Sequence, residues 1–335
     1  MKFAVLGAGR IGKIHAETLA LRLPDTEVTA IADVYEPAAA ETAASLRIPV
    51  SSSDTLAVIR RDDVEAVAIC TSTDTHVQYI IEAARAGKHI FCEKPIDMEL
   101  AQIDQALEAV EKAGVQFQIG FNRRFDPNFA RVRRAIEEGE IGTPHLLHII
   151  SRDPGPPPIS YVRVSGGMMI DMTIHDFDMA RFLIGSEVEE IYAVAKVRVD
   201  PAIAEAGDVD TALAVLKFAN GVIGTIDNSR KAVYGYDQRV EVFGSGGKIE
   251  SDNNYPNSAF VSTSRSVYRD LPLNFFLERY KDSYVIELRA FVDAVQNGTP
   301  VPVSGSDGRV PVVMAKAARR SIDLDRPVKL SEITA

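Results

Sequence analysis

Cysteine is nearly absent from this chain. Its 335 residues include two, Cys70 and Cys92. Each closes an apolar, strand-like run, which points to buried free thiols rather than a disulfide and to a reducing cytosol. No apolar run approaches the roughly 18 residues of a membrane-spanning helix. Strand-like Lys2-Phe3-Ala4-Val5-Leu6 begins at once and leaves no room for a signal peptide, so a cytoplasmic protein is expected. Long basic runs are missing too. Lys plus Arg total 37 against 47 Asp plus Glu, a net charge of −10, which argues against nucleic acid and anionic membrane as partners. Of the other histidines, His15, His89, His145 and His148 form no ligand spacing. His145 and His148, three apart on a strand, face opposite ways, so no metal site is expected. Neither an internal repeat nor a low-complexity tail is present.

What the chain does have is length enough for two domains. Over the first 120 or so residues, short apolar runs (Lys2–Leu6, Glu27–Ala32, Ala66–Cys70, His89–Cys92, Val115–Ile119) alternate with helix-like segments. That alternation predicts a parallel sheet covered on both faces. After about residue 125 the strands follow one another: His145–Ser151, Glu190–Val199, Thr211–Phe218, Val222–Ser229, Gln238–Phe243 and Lys248–Ser251. Asn220-Gly221 and Ser245-Gly246-Gly247 supply turns between them. The expected fold class is α/β: an N-terminal Rossmann domain over residues 1–121, then an α/β domain over 122–335. The second domain would hold a large open, mainly antiparallel sheet with helices on one face.

Two stretches carry chemistry. Gly7-Ala8-Gly9-Arg10-Ile11-Gly12 lies between the first strand and first helix, and Asp33 ends the second strand. Glycines there let the backbone approach a pyrophosphate, which faces the helix N-terminus. Asp33 would accept hydrogen bonds from the ribose hydroxyls and repel a 2′-phosphate, so NAD is expected over NADP. Arg10 faces the same loop, as a phosphate contact or as a solvated side chain. The second stretch, Gly166 to Gly185, reads as one buried helix with Asp171, His175 and Asp178 on one face. Read from spacing, Asp171 and His175 are either a satisfied buried pair that pins the helix or an oriented general base. Asp176 is expected to point away, toward the surface or another subunit. Asp178 would brace His175 or bind Arg181.

Glu93-Lys94-Pro95 ends another strand, and Cys70-Thr71-Ser72-Thr73-Asp74-Thr75-His76 follows the one before it. With the glycine turn and the Asp-x-x-x-His segment, these resemble the glucose–fructose oxidoreductase/inositol dehydrogenase/rhizopine catabolism (Gfo/Idh/MocA) family. Gly120-Phe121-Asn122-Arg123-Arg124-Phe125-Asp126, the stretch from Asp171 to Asp178, and Tyr234-Gly235-Tyr236-Asp237 resemble its inositol-oxidising branch. The resemblance implies NAD as cofactor and a polyol substrate. It implies oxidation of a ring secondary alcohol of myo-inositol to the ketone, with Lys94, Asp171 and His175 as the catalytic set. His175 would take the hydroxyl proton, Asp171 would orient it, and Lys94 would hold the developing alkoxide. Cofactor contacts are implied for Gly7, Gly9, Arg10, Ile11, Gly12, Asp33, Ser72, Thr73, His76 and Glu93, and polyol contacts for Arg123, Tyr236 and Tyr284. A homotetramer joined through the open sheet face is implied as well. The proline-rich loop from Arg152 to Ser165 is where departure from close relatives is expected. Alternatives are another inositol isomer or sugar, an NAD-dependent glycosidase, or a silent NAD-binding regulator.

Overall fold

The computed structural model describes residues 1–334. They form two compact units. Met1–Phe125 and Asp282–Val310 make the first, and Asp126–Lys281 and Pro311–Thr334 the second. None of the helices described is long and apolar enough to cross a membrane.

The first unit is built on six parallel strands: β1 (Lys2–Leu6), β2 (Glu27–Ala32), β3 (Val50–Ser52), β4 (Ala66–Ile69), β5 (His89–Glu93) and β6 (Phe117–Gly120). Their order is β3-β2-β1-β4-β5-β6. Leading residues apart, β1 and β2 are buried throughout, as is all of β4, which is why they read as unbroken apolar runs. Helices Arg10–Glu17, Glu36–Leu46, Thr73–Arg85 and Leu100–Ala113 supply the cover. Asp282–Val310 belongs here because the helix Lys281–Asn297 sinks Leu288, Phe291 and Val292 into the core around Phe3, Val5 and Phe91. The Phe291 ring meets those of Phe3 and Phe91 edge-on at 6.1 and 6.0 Å. A cut at 121/122 would separate that helix from its core.

The second unit carries β7 (Pro144–Arg152), β8 (Val188–Lys196), β9 (Thr211–Phe218), β10 (Ile223–Ser229), β11 (Asp237–Gly244) and β12 (Gly247–Ser251). A small hairpin, β13 (Val261–Ser262) with β14 (Val267–Tyr268), and a last strand, β15 (Val328–Lys329), follow. The seven-stranded sheet runs β12-β11-β7-β10-β9-β8-β15. The β10–β7 pair is parallel and its other pairs are antiparallel. Leu147, Ile149, Ala214, Leu216, Ile226, Val240 and Val242 form the buried face. The helix Ile174–Ile184 packs on β7.

The segment from Gly166 to Gly185 is not one helix. A single turn, Met168–Asp171, ends at Met172, and a second helix runs Ile174–Ile184. At the break, Thr173 sends its hydroxyl to Asn228 Oδ1 on β10, 2.8 Å away. Asn228 Nδ2 donates to Asp176 Oδ2 at 2.8 Å. Asp176 is therefore fully buried against the sheet, and does not point outward as its position on a continuous helix predicts.

Candidate active site

In the first unit the topology sets the place. Strand order reverses between β1 and β4, and such a point opens a crevice at the carboxyl ends of the strands. The turns after both strands lie there. Gly7 has φ +98°, and a Cβ on it would sit 2.5 Å from the Cys70 carbonyl oxygen. A Cβ on Gly12 would overlap the Gly7 carbonyl. By contrast a Cβ at Gly9 would meet nothing within 4 Å, so the turn is open on that side. Arg10 is exposed and Ile11 partly buried. Asp33 closes the turn: Oδ2 accepts the Ala8 N–H at 2.6 Å and Oδ1 the Tyr35 N–H at 2.8 Å. An open backbone at a helix N-terminus, with a carboxylate fixed beside it, fits a dinucleotide bearing a free ribose diol.

After β4, Ser72 precedes the helix Thr73–Arg85, and the hydroxyls of Thr71 and Thr75 meet at 2.7 Å. His76, expected at the cofactor, is 1% exposed. Its Nδ1 faces the Pro95 carbonyl at 2.8 Å and its Nε2 the Thr71 carbonyl at 3.1 Å. Burial lowers its pKa. The ring ties the Lys94–Pro95 turn to the Thr71 turn and has no nitrogen left for a ligand. Glu93, one residue before Lys94, meets Nε2 of fully buried His15 at 2.7 Å. Tyr284 packs edge-on against that imidazole at 5.7 Å. Arg123 is buried in the turn Asn122–Phe125, while Arg124 donates to Asp307 at 3.0 Å.

In the second unit, Asp171 ends the one-turn helix and His175 sits in the first turn of the next. Tyr161 donates its hydroxyl to Asp171 Oδ1 at 2.9 Å, and Arg230 Nη1 donates to Oδ2 at 2.7 Å. Asp178 is buried one turn beyond His175, and Arg181 pairs with Glu187 at 2.6 Å. Tyr236 is buried, its ring edge-on to that of Tyr280 at 6.0 Å. Sequence reasoning missed Arg230, Tyr161 and the His15–Glu93 contact. Arg230 merely follows a strand and has no motif around it. Tyr161 lies in the proline-rich Arg152–Ser165 stretch, on the one-turn helix Ile159–Val162, and nothing in the sequence singles it out.

Residues 1–121 match the oxidoreductase family with the NAD-binding Rossmann fold, and residues 129–250 match the GFO/IDH/MocA C-terminal domain. The myo-inositol 2-dehydrogenase of Thermotoga maritima is 49% identical over 99% of this chain and 99% of its own. Among solved structures, a myo-inositol dehydrogenase from Corynebacterium glutamicum is similar with a TM-score of 0.94 at 37% identity, covering 100% of this chain and 99% of that one. The scyllo-inositol dehydrogenase of Lactobacillus casei, solved with NAD(H) and scyllo-inositol bound, has a TM-score of 0.93 at 27% identity, covering 99% of each chain. With both halves matched and a glycine turn that fits NAD, the chain belongs to the GFO/IDH/MocA family of oxidoreductases.

Proposed function

We propose that the protein oxidises a ring secondary alcohol of myo-inositol to the inosose ketone with NAD. The observation that carries this is the full-length likeness to a myo-inositol 2-dehydrogenase, in a chain that holds every group the chemistry needs. Bound NAD supplies the acceptor for the hydride that leaves the carbinol carbon. The hydroxyl proton goes to His175. Asp171 orients that imidazole and offsets its positive charge once protonated. The Lys94 ammonium donates to the reacting oxygen and favours its alkoxide form until the C–H bond breaks. Arg123, Tyr236 and Tyr284 are assigned to the polyol hydroxyls. Gly7, Gly9, Arg10, Ile11, Gly12, Asp33, Ser72, Thr73 and Glu93 are assigned to the cofactor; His76 serves through the backbone it holds. Asp33 would repel a 2′-phosphate, so NADP should be a poor substitute.

The second unit is assigned substrate binding and self-association, in a cytoplasmic homotetramer. The support is its uncovered sheet face, where Leu146, Val194, Leu213, Ile223 and Phe243 are exposed. A second substrate reading, scyllo-inositol, is favoured by the likeness to the Lactobacillus casei enzyme.

The test is the initial gain of absorbance at 340 nm with NAD, then NADP, over myo-, scyllo- and chiro-inositol, glucose and xylose. Myo-inositol with NAD should dominate. His175→Ala should lose about 100- to 10,000-fold in turnover and keep its NAD affinity. Sugar release from a glycoside without NADH would support a glycosidase, and binding without turnover a regulator.

A further inference from the structure

We infer that Arg230 is a positioning residue for Asp171, and that together with Tyr161 it fixes the plane of that carboxylate; this rests on the catalytic role proposed for Asp171. Arg230 follows β10 directly and is 1% exposed. A guanidinium withdrawn from water is costly unless it is paired. Its Nη1 donates to Asp171 Oδ2 at 2.7 Å, and its Nη2 lies 3.8 Å from Asp208 Oδ2. Asp208 in turn accepts the Met168 N–H with both oxygens, at 3.1 and 3.0 Å. Met168 opens the one-turn helix that Asp171 ends. One buried cation thus addresses the carboxylates at both ends of that helix.

Tyr161 completes the arrangement. Its hydroxyl donates to the other oxygen, Asp171 Oδ1, at 2.9 Å. Burial, then the negative charge of Asp171, pushes the phenol pKa up, so it stays a donor at any working pH. With one donor on each oxygen, the carboxylate cannot turn without breaking a bond. The chain makes such a hold necessary. Because the helix breaks at Met172 and Thr173, no continuous ladder of backbone bonds sets Asp171 relative to His175. The donors come instead from the loop before the break and from the end of β10. Tyr161 is 47% exposed, so this hold extends from the core to the surface of the proline-rich loop.

The experiment compares wild type with Arg230→Gln, Arg230→Lys and Tyr161→Phe. It reads kcat and KM for myo-inositol, NAD affinity by calorimetry, and fold by circular dichroism. Arg230→Gln should lose at least about 30-fold in kcat, with NAD affinity unchanged within about twofold. Arg230→Lys, which keeps the charge and one donor, should recover part of that loss. Tyr161→Phe, at a half-exposed position, should fold and lose about three- to tenfold in kcat. A folded Arg230→Gln with wild-type kcat overturns the inference, as does a loss confined to KM or to NAD affinity. If Arg230→Gln does not fold, Tyr161→Phe decides, and wild-type kcat in that variant overturns it. A wild type inactive on every polyol overturns the functional reading and this inference with it, whereas active wild type with indifferent variants overturns only the inference.

Discussion

Strand β1 is buried at four of its five residues, whereas β9 is buried at every second one. Sheets covered on both faces and sheets covered on one face differ in this way, and here the difference decides where function can sit. The covered sheet has no free face, so the groups proposed to bind and react hang from strand ends: the glycine turn after β1, Asp33 after β2, Thr71 to Thr73 after β4, and Lys94 after β5. Much of it is backbone, and side chains mainly hold turns in place. The half-open sheet works through side chains on its covered side, where Asn228 and Arg230, at the end of β10, reach Thr173, Asp176 and Asp171. Its other side carries ion pairs such as Lys248–Glu241 among exposed apolar residues.

The contrast breaks hardest at Gly12. A Cβ there would overlap the Gly7 carbonyl, which is backbone and cannot swing aside. Gly12→Ala should cost about 3 kcal/mol or more and abolish measurable NAD binding, read by denaturant unfolding and calorimetry. If the variant binds NAD normally, backbone approach is not what the turn provides. Asp33→Ala is the next largest. It removes a charged acceptor from the Ala8 N–H and the proposed ribose contact, and hydrogen bonds to charged groups contribute about 1.5–3 kcal/mol. NAD affinity should fall roughly 10- to 100-fold, and the preference over NADP should narrow. A preference left intact would remove Asp33 from cofactor selection.

His76→Gln sharpens the point that side chains of the first unit hold turns. A neutral ring has one N–H to give to the two carbonyls that flank it, so losing it should cost about 1 kcal/mol at pH 8. The sign with pH follows from burial, which holds the folded pKa low. An unfolded imidazole titrates near about 6.5. Just below that value the unfolded chain binds more protons than the folded one. Stability therefore rises with pH up to about 6.5 and levels off above it. The variant lacks this component of the slope, so the gap between it and wild type should shrink from pH 8 to pH 5 in urea unfolding. A gap that widens at pH 5 would mean that the buried imidazole is protonated.

Both sheets were legible in the sequence because burial writes a pattern into it: unbroken apolar runs in β1 and β4, alternation in β7, β9 and β10. The glycine turn was legible as a tight turn because Gly7 and Gly12, which leave no space for a Cβ, lie together in the sequence. Long-range partners left no such trace. The break at Thr173 depends on Asn228, 55 residues on, and the return of Asp282–Val310 depends on aromatic contacts with Phe3 and Phe91. Short edge strands such as β3, with Ser51 exposed and Ser52 only partly covered, carry too little apolar signal to be read. Asp171 was singled out by its motif, but the two donors that hold it come from segments that share no periodicity with it.

The smallest effect on the fold, and the sharpest test of the open face, comes from charging that face without harming it. Leu213 and Phe243 are both 45% exposed. Leu213 pairs across strands with Asp227, and Phe243 with Lys248. Leu213→Lys and Phe243→Glu therefore each set opposite charges across a strand pair, which is neutral or favourable within one sheet. Each should change the stability of the isolated chain by no more than about 0.5 kcal/mol. An interface between copies would respond differently, because both substitutions place a charge where apolar contact is needed. Sedimentation velocity should show wild type as an assembly and the double variant shifted to smaller species, with NAD affinity unchanged. A wild-type monomer would mean that the exposed apolar residues of this face do not join copies of the chain. An intact assembly in the double variant would move the interface elsewhere, and would leave the open face as ordinary surface held by its ion pairs.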